Sequence, residues 1–122
     1  MKKEIYGTFN GEHLIGEDGK SYPIQANYAS KSLMVEGDEV KLTIYEGKFI
    51  YKQIKHVDRI KFIAEVIEEG GKIMIINEKG RAFGVAPVAI SFFKLVPGDE
   101  VVAIIPKETS SYWAAIEMVT NR

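Results

Sequence analysis

Residues 38–45 alternate without a break, with Val40, Leu42 and Ile44 on one side and Lys41, Thr43 and Tyr45 on the other. A period of two residues is that of a strand with one face buried and one wetted. Similar apolar stretches bounded by turn residues predict strands over 4–9, 13–16, 21–26, 38–45 and 49–57. The pairs Asn10-Gly11, Asp18-Gly19 and Glu46-Gly47 separate them and suit tight turns. Between the third and fourth strands, Tyr28, Ala29, Leu33 and Met34 fall at helical spacing, predicting one short helix over 28–34 with Asn27 as its cap.

The second half of the chain writes this pattern again. Shifted by 61 positions, Leu14-Ile15 meets Ile75-Ile76, Gly19-Lys20 meets Gly80-Arg81, Tyr22 meets Phe83, and Gly37-Asp38-Glu39-Val40 meets Gly98-Asp99-Glu100-Val101. One extra residue in the next loop places Tyr51, Ile54 and Val57 on Trp113, Ile116 and Val119. Ile5 falls on Ile63 if the first hairpin of the second copy is three residues longer. The second set of strands is predicted over 62–68, 72–77, 81–86, 100–105 and 112–119, with a helix over 88–95.

Three strands, a short helix, then two strands is the order of an OB-type barrel. The fold class expected is therefore all-β: two tandem small OB-like five-stranded barrels, residues 1–58 and 59–122, each with a short helix between strands three and four. The joint, Asp58-Arg59-Ile60-Lys61, has no Gly, Pro or Ser, so the barrels are expected side by side. The fourth strand of the second copy carries Val102 and Ile104 where the first has Lys41 and Thr43, and its helix adds Phe92 and Phe93. A strand apolar on both faces is usually covered on both. These four residues are the expected interface, against the first barrel, a protein partner or a second copy.

Gly19-Lys20-Ser21 looks like the end of a phosphate-cradling loop, Gly-x4-Gly-Lys-Ser/Thr. Leu14 occupies the first glycine position, and Tyr22-Pro23 opposes the helix that such a loop needs. The second copy has Gly80-Arg81-Ala82, keeping the glycine and losing the hydroxyl. A turn requires only the glycine. The chain has 122 residues, a formal net charge of −1 and no cysteine, which excludes disulfides, thiolate metal sites and a global attraction to polyanions. No apolar run approaches a membrane span, and the Met-Lys-Lys-Glu-Ile start lacks the apolar centre of a signal peptide, so a cytoplasmic protein without membrane contact is expected.

"HLIGEDGKSYPIQANYAS…VEGDEVKL" and "KIMIINEKGRAFGVAPVAIS…VPGDEVVA" resemble cold-shock-type OB domains, in which a Gly-(Asp/Gln)-x-Val segment follows the helical turn. The tandem also looks similar to the domains that precede the catalytic part of RNase II/R-type exoribonucleases. A second likeness, in "GRAFG…PGDEVVAIIP", is to the C-terminal domain of transcript-cleavage factors, without their N-terminal coiled coil. The cold-shock resemblance implies binding of single-stranded nucleic acid, RNA foremost, with bases stacked on aromatic side chains of strands two and three. Of those positions this sequence keeps Tyr22 and Phe83.

Charge adds a local candidate. The stretch 48–61 holds Lys48, Lys52, Lys55, Arg59 and Lys61 against Asp58 alone, a net +4, which leaves −5 for the remainder. Tyr51 lies among these cations, so phosphate-pairing charge sits beside a stacking ring. The competing expectation is an edge strand guarded by lysines. The nucleic-acid-binding set is thus Lys48, Tyr51, Lys52, Lys55, Arg59, Tyr22 and Phe83. His13 and His56 lack acidic partners at ligand spacing, Asp38-Glu39 and Asp99-Glu100 point to opposite faces, and 109–111 has no base nearby, so no enzyme, metal or cofactor is expected. Asp38 and Asp99 are expected to cap the turn into strand four. Tyr112 and Trp113 are expected in the core or at an interface.

Overall fold

The structure, a computed structural model, describes residues 1–121. It is mostly β, in two five-stranded antiparallel sheets. The first contains β1 (Lys2–Phe9), β2 (His13–Gly16), β3 (Ser21–Pro23), β4 (Glu39–Tyr45) and β5 (Lys48–Lys55) in the order β3-β2-β1-β4-β5, with α1 (Ala26–Lys31) between β3 and β4. The second contains β6 (Arg59–Glu69), β7 (Lys72–Asn77), β8 (Ala82–Gly84), β9 (Glu100–Pro106) and β10 (Ala115–Val119) in the order β10-β9-β6-β7-β8, with α2 (Pro87–Phe93) between β8 and β9. Among the described residues no helix is long and apolar enough to cross a membrane.

Each sheet buries one face. Ile5, Phe9, Leu14, Ile24, Met34, Val40 and Leu42 form the first core. Ala64, Val66, Ile75, Phe83, Val85, Leu95, Val101, Ala103 and Ile116 are central to the second. The two backbones repeat at the 61-residue shift in detail. Gly19 and Gly80 both have positive φ, closing turns in which Gly16 N–H bonds Lys20 C=O and Asn77 N–H bonds Arg81 C=O. Leu33 and Lys94 share a left-handed conformation at the ends of their helices. Asp38 N–H donates to Val35 C=O at 3.1 Å while its carboxylate accepts from Val35 N–H at 3.0 Å; Asp99 makes the same pair of bonds with Val96 at 3.1 and 3.0 Å. The aspartate of each Gly-Asp-Glu-Val caps its turn, as the sequence suggests, because a short side-chain acceptor satisfies an amide that the turn leaves unpaired.

Two alignments and the helix starts differ from expectation. Gly7 pairs with Val40 and Ala64 with Val101, so the first strands correspond at a shift of 57, and Ile5 matches Phe62 rather than Ile63. A slip of one residue turns every side chain to the other face, which is why Ile63 is exposed and Ile5 buried. Likewise Leu42 pairs with Tyr51 and Ala103 with Ile116, a shift of 65, so Trp113 is not the counterpart of Tyr51. A helix begins after Gln25, with no side-chain cap, and its partner begins at Pro87, where a residue without N–H is tolerated.

The halves are joined by an ion pair. Asp38, fully buried, accepts from Arg59 Nη2 at 2.5 Å and from Val57 N–H at 2.9 Å on the same oxygen. Arg59 also donates to backbone, from Nη1 to Leu33 C=O at 2.9 Å and from Nε to Val57 C=O at 3.1 Å, and its Nη2 lies 3.4 Å from His56 Nδ1. The joint is therefore clamped to the end of α1. Elsewhere α1 packs against α2, and Ser111 Oγ, which donates to Trp113 C=O at 2.8 Å, lies 3.2 Å from the Glu36 carboxylate. The Trp113 ring lies so close over Gly11 that a methyl there would overlap it.

Removing one partner of a buried pair strands the other charge, so Arg59→Ala is expected to cost about 3–5 kcal/mol in denaturant unfolding. Lys61→Ala, which breaks a 2.7 Å pair between an exposed lysine and the half-buried Glu117, is expected to cost about 1 kcal/mol. Equal, small effects would contradict the clamp.

Candidate nucleic-acid interface

Strand register decides which lysines stand together. On the face of the first sheet opposite its core, Tyr6 pairs across to Lys41 and Lys41 to Lys52; four residues along the strands, Lys2 pairs to Tyr45 and Tyr45 to Lys48. Each row crosses three strands, about 10 Å, and the two rows lie about 13 Å apart. Between them runs Glu4–Thr43–Ile50. Within these three rows the four lysines meet one acid, Glu4, which pairs with Lys2 at 3.3 Å, while Glu39 lies on the same face beyond Lys41. Tyr6 and Tyr45 are nearly half exposed, at 47% and 44%.

The residues named from sequence separate into two groups. Lys48 and Lys52 belong to this face, and Lys55 lies at its end opposite Glu39. The other four have different work. Arg59 is consumed by Asp38 and two carbonyls, which turns its guanidinium toward the fold rather than toward a phosphate. Phe83 is wholly buried in the second core, 5.3 Å from Phe62 and covered by the Arg81 guanidinium at 4.6 Å, so it offers no face to a base. Tyr51 points inward, stacked on Tyr28 at 5.3 Å, and its hydroxyl donates to Pro23 C=O at 2.9 Å. Tyr22 donates to the Asp18 carboxylate at 2.5 Å, with the Lys3 ammonium 6.0 Å from its ring. That bond raises the Tyr22 pKa and lowers that of Asp18, which also accepts from Lys20 N–H.

Lys2, Tyr6, Lys41 and Tyr45 are the residues that linear reading misses. Alternation alone assigns Lys41 and Tyr45 to the wetted side of their strand. Their convergence with Lys48 and Lys52 needs the β4–β5 register, and Tyr6 and Lys2 need the pairing of β1 with β4.

The expected interface residues also divide. Ile104 points away from the second core yet is 2% exposed, so it is not available to an external partner, whereas Val102 is half-buried. Phe92 is exposed and stands edge-on to Phe93 at 4.9 Å. Val102 is flanked across the sheet by Ile63 and Met118, both about half exposed, making an apolar row. Among the described residues no three His, Cys, Asp or Glu groups are placed to hold a metal ion.

Burial raises the Tyr51 pKa above its ordinary 10, the largest cause, against a smaller lowering by a backbone bond near Gln25. The unfolded chain ionises this phenol first, so its contribution to stability is present below pH of about 10 and is lost as pH rises through the raised value. Tyr51→Phe is expected to flatten the alkaline loss of stability in pH-dependent thermal melts while costing about 1 kcal/mol at neutral pH through the missing hydrogen bond. An unchanged alkaline slope would contradict this assignment.

Compared with known families and curated proteins, the chain matches no family model and no curated sequence, so the interface rests on its own geometry.

Proposed function

We propose that the protein is a non-enzymatic binding module for single-stranded nucleic acid, RNA first among the ligands to test, and that each half is an OB-type barrel. The barrel reading is supported by the strand order shared by the two sheets and by a parallel bridge between Gly84 and Trp113. There Gly84 N–H bonds Tyr112 C=O at 2.8 Å and Ala114 N–H bonds Gly84 C=O at 3.0 Å, bringing the last-strand end of the second sheet to its β8 edge. In the first sheet the Tyr51 hydroxyl reaches Pro23 across the corresponding gap.

The observation that carries the function is the pair of rows Tyr6–Lys41–Lys52 and Lys2–Tyr45–Lys48. The four lysines pair with phosphates along a strand, and the two tyrosine rings supply flat surface for bases, which stack on aromatic rings whatever their sequence. With a net charge of −1 the protein as a whole does not draw a polyanion, so binding is local to this face. A second reading, a protein partner on the second sheet, is favoured by the row Ile63–Val102–Met118.

Fluorescence anisotropy with a labelled oligouridylate at low salt tests the first reading. Affinity is expected to fall with salt, and the double variant Lys41→Ala/Lys52→Ala to flatten the log–log slope by about 1.4, near 0.7 for each phosphate left unneutralised. Tyr6→Ala is expected to weaken binding by about 1–3 kcal/mol, and Ile63→Glu to leave it unchanged. No binding at low salt, or equal weakening by Lys72→Ala and Lys107→Ala on the other half, would overturn it.

A further inference from the structure

Apart from the packing of α1 on α2, the two halves of the chain meet through surfaces that do not correspond. The first half contributes the end of α1 and the turn after it, with Val35 and Met34 lining a cavity of about 220 Å³ against Pro87, Trp113, Ala114 and Ile116 of the second half. An interface between equivalent surfaces would close on itself. One between different surfaces leaves an unused copy of each at the two ends of the tandem.

Both unused copies are open. Val35 is 3% exposed beneath the second half, and its counterpart at the 61-residue shift, Val96, is 56% exposed. Phe92, where α1 has Lys31, is exposed too, but it borders the groove between the halves together with Lys31 and is not part of the free end. At the opposite end, Ala114, 6% exposed, belongs to the second core and lines the cavity shared with the first half; its counterpart at the 65-residue shift, Phe49, is 37% exposed, and the next residue, Ile50, more so. A groove between 23–25 and 47–51 lies beside these two. The ends are also complementary in charge. Lys48 adjoins Phe49, while the β6–β7 hairpin, at the position that Gly11 occupies in the first half, carries exposed Glu68 and Glu69.

We propose that the chain associates head to tail with further copies of itself: the Phe49–Ile50 end of one molecule seats on the Val96 end of the next, repeating the contact that joins its own halves. Apolar side chains are left in water at both ends and covered in the one place where the contact is made. Because the surfaces are different, neither end pairs with its own copy, and the assembly grows from each end.

Sedimentation velocity over a concentration series, without nucleic acid, tests this. The weight-average mass of the wild-type chain is expected to rise from 13.7 kDa past that of a dimer. Ile50→Glu and Val96→Lys each disable one end and are expected to weaken self-association about tenfold or more, with unchanged circular dichroism because both residues are exposed. Mixed together, the two variants retain one working end each and are expected to form a one-to-one pair that grows no further. A wild-type chain that stays monomeric, or stops at a dimer, would overturn the proposal. So would a mixture that fails to associate while the wild type does.

Discussion

The Asp38–Arg59 ion pair fixes how the molecule is put together. A carboxylate removed from water must be matched by donors or it destabilises the fold by several kcal/mol. Here the match comes from three directions: the Val35 amide of the turn, the Val57 amide of the connecting segment, and the Arg59 guanidinium at the start of the second sheet. One side chain thus ties the Gly-Asp-Glu-Val turn of the first half to the first strand of the second. With Arg59 also bonded to Leu33 and Val57 carbonyls, the short joint has little freedom to hinge.

From that constraint follows the division of labour between the faces. The joint holds α1 against α2 and covers the Val35 side of the first half. The face of the first sheet opposite its core keeps its lysines and tyrosines in water. In the second sheet the corresponding strand carries Val102 and Ile104, and Ile104 is buried although it points outward. The duplicated backbone is therefore alike in its turns and divergent in its surfaces: one face charged and aromatic, the other apolar. A turn has few solutions, since Gly37 and Gly98 both need the left-handed region. An exposed face tolerates any side chain its surroundings accept.

These differences explain what was legible in the sequence. Alternation over 38–45, the turn glycines and the repeated Gly-Asp-Glu-Val pointed to the ten strands, the two short helices and the turn-capping role of Asp38 and Asp99, because each is dictated by neighbours within a few residues. What depended on pairing between distant strands was not legible. The bulges in β5 and β10 shift register after Glu39 and Ile116, and a linear alignment with one extra residue set Trp113 on Tyr51. The basic stretch 48–61 was visible as composition, yet composition does not distinguish Lys52, which faces water, from Arg59, whose guanidinium is spent on the fold. Phe83 illustrates the same limit: an aromatic residue in a strand reads alike whether it is a platform or a core.

A single strand bound by this protein lies, in the proposed mode, across β1, β4 and β5 on the face lined by Tyr6, Lys41, Tyr45, Lys48 and Lys52. An amide-resolved NMR titration with an oligouridylate reads that placement residue by residue. Shift changes are expected to concentrate at those five residues and their strand neighbours, with the second sheet silent. Changes confined to the second sheet around Ile63, Val102 and Met118, or none at any ratio of oligonucleotide to protein, would refute it.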